Sequence, residues 1–187
     1  MPTLLDRSIY ATFLIAVILG LACQDGLHTN ESIPAAQRRW TDKTAVLSLA
    51  SASAAPGGTV TLEVSLTGEA SPSGLQWSLV YPASDLLFEK SEIASTATSA
   101  GKSIQCSDNS GTVTCVLFGL DRETMSDGAV AELSFTIAPA TKADSASVTL
   151  VGLAATSPEG YAIPTMGSID PTVVKILSLD PTSKPDP

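Results

Sequence analysis

Residues 103–115 read SIQCSDNSGTVTC, with two cysteines separated by eight intervening residues around a polar centre rich in turn formers. Ser110-Gly111 is the natural two-residue turn, because glycine supplies the positive φ that tight hairpin turns require. That choice fixes the pairing: Asn109 with Thr112, Asp108 with Val113, Ser107 with Thr114, and Cys106 with Cys115. If Asn109 and Thr112 close the turn as a hydrogen-bonded pair, alternation makes Cys106/Cys115 a non-hydrogen-bonded pair. Such pairs have Cα atoms about 4.5 Å apart, within reach of a disulfide. The next pair in the same register, Ile104 with Leu117, is apolar. The staple and Val113 are therefore expected on the core side of a β-hairpin.

Outward from this hairpin the sequence keeps a period of two. In TVTLEVSLT, Val60, Leu62, Val64 and Leu66 share one face, and Thr61, Glu63 and Ser65 the other. In GLQWSLVY, Leu75, Trp77, Leu79 and Tyr81 alternate with Gln76, Ser78 and Val80. In GAVAELSFTIAP, Ala131, Leu133, Phe135 and Ile137 alternate with Glu132, Ser134 and Thr136. Shorter strand-like runs are TAVLSLASA, DLLFEKSEI, SASVTLVGLAAT and PTVVKILSL; an Ala/Ser/Thr-rich loop is expected from Ser95 to Gly101. About nine short strands, each with one polar face, predict an all-β chain of antiparallel sheets packed face to face as a β-sandwich.

Composition agrees. Only 16% of the 187 residues are charged, and the net charge of −9 is the wrong sign for gripping phosphates. The N-terminus, MPTLLDRSIYATFLIAVILGLAC, has one cation, Arg7, then an apolar run from Tyr10 to Ala22. That run is short for a membrane span and has the length of a signal-peptide core. It ends in LGLAC, which resembles a bacterial lipobox, although Gly20 stands where a leucine is usual. Residues 1–23 are thus expected to direct export, with Cys23 as the candidate site of lipid attachment and of a membrane anchor; ordinary cleavage to a secreted form, or an uncleaved anchor, is the alternative. Export favours disulfides, and setting Cys23 aside leaves Cys106 and Cys115 as the pair among three cysteines. Residues 24–43 read as a flexible tether, 44–179 as the sandwich, and the Pro-rich 180–187 as a disordered tail.

Catalytic and metal patterns are weak. The single histidine, His28, falls in the tether, so a Ser-His-acid triad has no base. Zinc needs about four ligands, and a redox pair needs C-x-x-C spacing. No P-loop, dinucleotide-binding glycine pattern or EF-hand loop is present in the sequence. The best paired carboxylates are Asp121 and Glu123 in GLDRETMSDG. They are the candidates if the chain is a fragment of a carbohydrate-active enzyme.

Three stretches carry a resemblance to a known family. APGGTVTLEVSLTG, GLQWSLVYPASDLLFEKSEI and MSDGAVAELSFTIAP are similar, in order, to the early strands, the tyrosine corner and the later phenylalanine strand of the cohesin family. The corner departs from the family pattern: Pro82 follows Tyr81 directly, with an aspartate only at Asp85. The resemblance implies a nine-stranded jelly-roll sandwich, cohesin-like or carbohydrate-binding-module-like, with no catalysis and no cofactor. It also implies a face that binds a calcium-loaded dockerin and includes the hairpin and the GLQWSLVY strand. Alternation selects that face's outward residues: Gln76, Ser78, Gln105, Thr112 and Thr114, with Phe118 as an aromatic anchor. A dockerin-like protein or a polysaccharide is the expected partner, and a purely structural adhesion module is the alternative.

Overall fold

The computed structural model describes residues 35–168 and 170–178. The elements are, in order, helix α1 (Ala35–Thr41), strands β1 (Ala45–Leu49), β2 (Ala52–Ala54), β3 (Thr59–Gly68), β4 (Gly74–Val80) and β5 (Leu86–Ile93), then helix α2 (Ser95–Ser99). There follow β6 (Ser103–Asp108), β7 (Thr112–Phe118), β8 (Gly128–Ile137), β9 (Ser145–Thr156), β10 (Ala162–Ile163), β11 (Thr165–Gly167) and β12 (Thr172–Ile176). One sheet has the order β11-β1-β3-β8-β5; the other runs β2-β12-β9-β4-β7-β6, with β10 added to β9.

The two sheets pack face to face as a jelly-roll sandwich. The inward rows are those set by alternation: Val60, Leu62, Val64 and Leu66 from β3, Leu75, Trp77 and Leu79 from β4, and Leu133, Phe135 and Ile137 from β8 are all buried. Tyr81 and Phe88 meet Phe135 edge to face, with ring centroids 5.1 and 5.5 Å away, a favoured aromatic geometry. Tyr81 also donates its hydroxyl to the Asp108 carboxylate at 2.6 Å. Burial first, and the Asp108 bond second, raise its pKa above the ordinary tyrosine value. At the altered corner Asp85 accepts from the hydroxyls of Thr141 and Ser84.

Three features differ from the sequence expectation. Strands β2, β10 and β11 bring the count to twelve, and two pairings, β1 with β11 and β2 with β12, are parallel. Strands of two or three residues are too short to show a period. The loop from Ser95 contains α2, which buries Ala97; tertiary packing there overrides the poor helix propensity of serine and threonine. The segment read as a tether, 24–43, contains α1, whose Trp40 is 7% exposed and belongs to the core. Burial of one large aromatic is enough to recruit a segment without any apolar period. The folded body therefore begins at least nine residues before the expected boundary at 44. Cys23, His28, the rest of 1–34 and the tail 180–187 lie outside the described residues.

Candidate functional site

The hairpin has the register deduced from its turn. Asn109 N–H donates to the Thr112 carbonyl at 2.9 Å, and Ser110 and Gly111 have φ of 35° and 109°. Cys106 stands opposite Cys115 and Ile104 opposite Leu117. The two cysteines are joined by a disulfide, with Cα atoms 4.1 Å apart. Cys115 is fully buried and its other cross-strand neighbour is Trp77. The staple thus lies on the core side, and it ties the outermost strand β6 to β7.

The opposite side of this sheet is the candidate face. Cross-strand pairing arranges its outward side chains in rows. Thr149, Val80 and Thr112 form one row. Val151, Ser78, Thr114 and Ser107 form the next, and Ser78 and Thr114 are hydrogen-bonded through their hydroxyls at 2.7 Å. Ala154, Gln76, Val116 and Gln105 form the third. Phe118 stands beside Ser103 in the last row, towards Gly74 and Thr156.

All six residues expected on this face, Gln76, Ser78, Gln105, Thr112, Thr114 and Phe118, occupy it. Phe118 is 46% exposed. The expectation omitted the apolar share of the face: Val80, Val116 and Val151 are each about two-fifths exposed. Strand parity placed Val80 and Val116 outward in the sequence, but β-branched residues are the ordinary filling of a core, so their number on the solvent side was the unread signal. Along β9, β4, β7 and β6, no outward position among the described residues carries a charge. Depletion of charge is a feature of the centre of protein interfaces.

Asp121 and Glu123 do not form an acid/base pair. The Asp121 Oδ1 atom accepts from Lys102 Nζ at 2.6 Å and from the Glu123 backbone N–H at 3.2 Å. The Lys102 hydrogen bond, foremost, holds the Asp121 carboxyl below the usual carboxylate range, the wrong direction for a general acid. The Lys102 ammonium is fully buried, and Asp121 is its counterion. Among the described residues, no cluster of His, Cys, Asp or Glu is arranged to hold a metal ion. No described helix is long and apolar enough to cross a membrane.

Comparison with known proteins places this geometry. The fold is shared with the sixth cohesin of scaffoldin B from Acetivibrio cellulolyticus, whose structure contains a Cel5 dockerin: TM-score 0.62, 19% identity, covering 72% of this chain and 99% of that one. The cohesin CaCohA2 from Clostridium acetobutylicum gives TM-score 0.62 and 19% identity, covering 75% of this chain and 96% of that one. A non-cellulosomal cohesin from the archaeon Archaeoglobus fulgidus gives TM-score 0.61 and 16% identity over 72% of this chain and 92% of that one. No curated protein matches the chain. Residues 45–183 match the family model of the Cohesin domain, a non-catalytic module. That match spans the whole sandwich and most of the chain, and on it this protein belongs to the cohesin domain family.

Proposed function

We propose that this protein is a non-catalytic docking module whose charge-free face over β9, β4, β7 and β6 binds a dockerin-type partner. The observation that carries the reading is the face itself. A chain of net charge −9 keeps four adjacent strands free of outward charge and leaves Val80, Val116, Val151 and Phe118 partly exposed there. Water-facing sheet faces are ordinarily polar, so the four partly exposed apolar side chains among uncharged neighbours suit this face to being covered. Related support comes from the Acetivibrio cohesin, whose structure is a complex with a dockerin. The N-terminal segment supports an exported module held to a membrane through Cys23, with the sandwich of residues 44–179 presented outside.

Isothermal titration of the full chain against a panel of calcium-loaded dockerins tests the reading. Saturable, calcium-dependent binding to at least one member is expected, lost when Thr114→Lys and Val116→Glu are introduced together. A folded protein that binds none of them, while a glycan array records polysaccharide binding, overturns it. Intact mass of membrane-extracted protein tests the anchor: a diacylglyceryl adduct on a chain beginning at Cys23 is expected, and an unmodified terminus refutes it.

A further inference from the structure

One end of the candidate face is not flat. Gly74 lies in the last row beside Thr156, in the lining of a pit of about 420 Å³. A Cβ built on Gly74 would stand 2.7 Å from the Thr156 hydroxyl, so that hydroxyl packs directly against the glycine. Val116, Phe118 and Ala154 give apolar walls, and Gln76 and Thr156 give neutral polar groups. Asp121 is the one charged residue in the lining.

The Asp121 carboxylate is prepared for a partner. Lys102 and the Glu123 N–H both take Oδ1, and Oδ2 lies beside Gly101. The Asp121 side chain remains 46% exposed, whereas the Lys102 ammonium is fully buried. The positive charge therefore reaches the pit only from behind the carboxylate that it fixes. A fixed carboxylate at the end of an apolar slot suits a long side chain with an aliphatic stem and a cationic head. The stem can lie along Phe118, and the head can reach the exposed carboxylate in a charge-assisted bond. The overall negative charge of the chain favours the approach of such a group.

We infer that the pit at Gly74 receives a lysine or arginine side chain of the docked protein partner, paired with Asp121. This inference rests on the docking face proposed above and adds the one charged contact that would set the partner's register on a face otherwise free of charge.

The test uses small probes and reads the pit alone, so it can fail or succeed whatever becomes of the dockerin titrations. Backbone amide spectra of the full chain are recorded with increasing N-acetyl-lysine methylamide, its arginine analogue, its uncharged norleucine analogue, or a cello-oligosaccharide. Saturable shifts at Gly74, Gln76, Phe118 and Thr156 are expected with the two cationic probes and not with norleucine. Binding should weaken about tenfold or more in Asp121→Asn. Because that change also strips the buried Lys102 of its counterion, Ala154→Leu provides the second variant. It fills the pit from an exposed position and should abolish the shifts without unfolding the domain. The proposal is overturned if norleucine is as effective, if Ala154→Leu leaves the cationic shifts intact, if no probe shifts these residues, or if only the oligosaccharide does.

Discussion

Trp77 lies directly opposite Cys115, and Cys115 is bonded to Cys106, so an indole and a disulfide stand side by side across three strands. A disulfide beside an indole quenches its emission. Reduction of the native protein should therefore increase tryptophan fluorescence before any unfolding. The increase should persist in Trp40→Phe and vanish in Trp77→Phe. Cys106→Ser with Cys115→Ser should lower stability by about 2.5–3 kcal/mol, from the loop entropy of roughly ten residues. Denaturant titration of the double variant checks the figure, and an unchanged midpoint would assign the staple no stabilising role.

Trp40 makes a prediction about where the domain starts. Trp40→Ala should cost about 3 kcal/mol, the lower end for removal of a buried large aromatic. A chain beginning at residue 44 should lose a similar amount, because both changes empty the same site. Equal melting temperatures for the full and shortened chains would show that α1 contributes nothing to the fold.

Tyr81 sets an alkaline limit. Its folded pKa is raised above the unfolded value near 10, so its contribution to stability is fully present below that value. The contribution is lost as pH rises through the folded value. Stability should fall above about pH 10, and Tyr81→Phe should flatten that part of the profile. At neutral pH the same variant should cost about 1 kcal/mol, the net loss of one hydrogen bond. Thermal melts in a pH series measure both.

Asp121 works in the opposite direction. Its folded pKa is depressed, so its contribution is present above the unfolded carboxylate value, about 4. It is lost as pH falls through the folded value. The acid-dependent loss that Asp121 contributes should therefore fall below about pH 4, and Asp121→Asn should remove that part of the profile. If the two acid profiles run parallel, the Lys102–Asp121 pair has no linked role in folding.

On the proposed docking face, Val116→Glu alone should weaken any bound dockerin by about tenfold or more, since it would bury an unpaired charge at the centre of the contact. The free protein should change stability by no more than about 0.5 kcal/mol, as expected of an exposed position. A melting curve and a titration on the same sample separate the two effects.

Much of the architecture was readable because β-strands advertise themselves through strict alternation. The inward rows of β3, β4 and β8 and the pairing of Cys106 with Cys115 follow from parity and one turn. The elements that escaped have no period to read. Strands β2, β10 and β11 are two or three residues long, α2 is built from Ser, Thr and Ala, and α1 is anchored mainly by Trp40. The face showed a similar split. Its hydroxyls and amides were identified by their polarity, whereas Val80, Val116 and Val151 carry a residue type that normally signals the interior. The pit at Gly74 was invisible because its lining is drawn from β4, β7, β9 and the loops beside them, and its meaning depends on Phe118 and Asp121 being brought beside Gly74.

The covalent link between β6 and β7 has a consequence for motion. An outermost strand has a neighbour on one side only, and such strands usually fray by opening locally. Here Cys106 fastens the middle of β6 to a buried residue of β7, so the strand cannot peel away while the bond is intact. The amides of Ser103, Gln105 and Ser107, which face β7, should then exchange with solvent hydrogen at the slow rate of whole-domain opening. Gln105 and Ser107 would meet a partner as parts of a rigid surface, with little ordering entropy left to lose on contact.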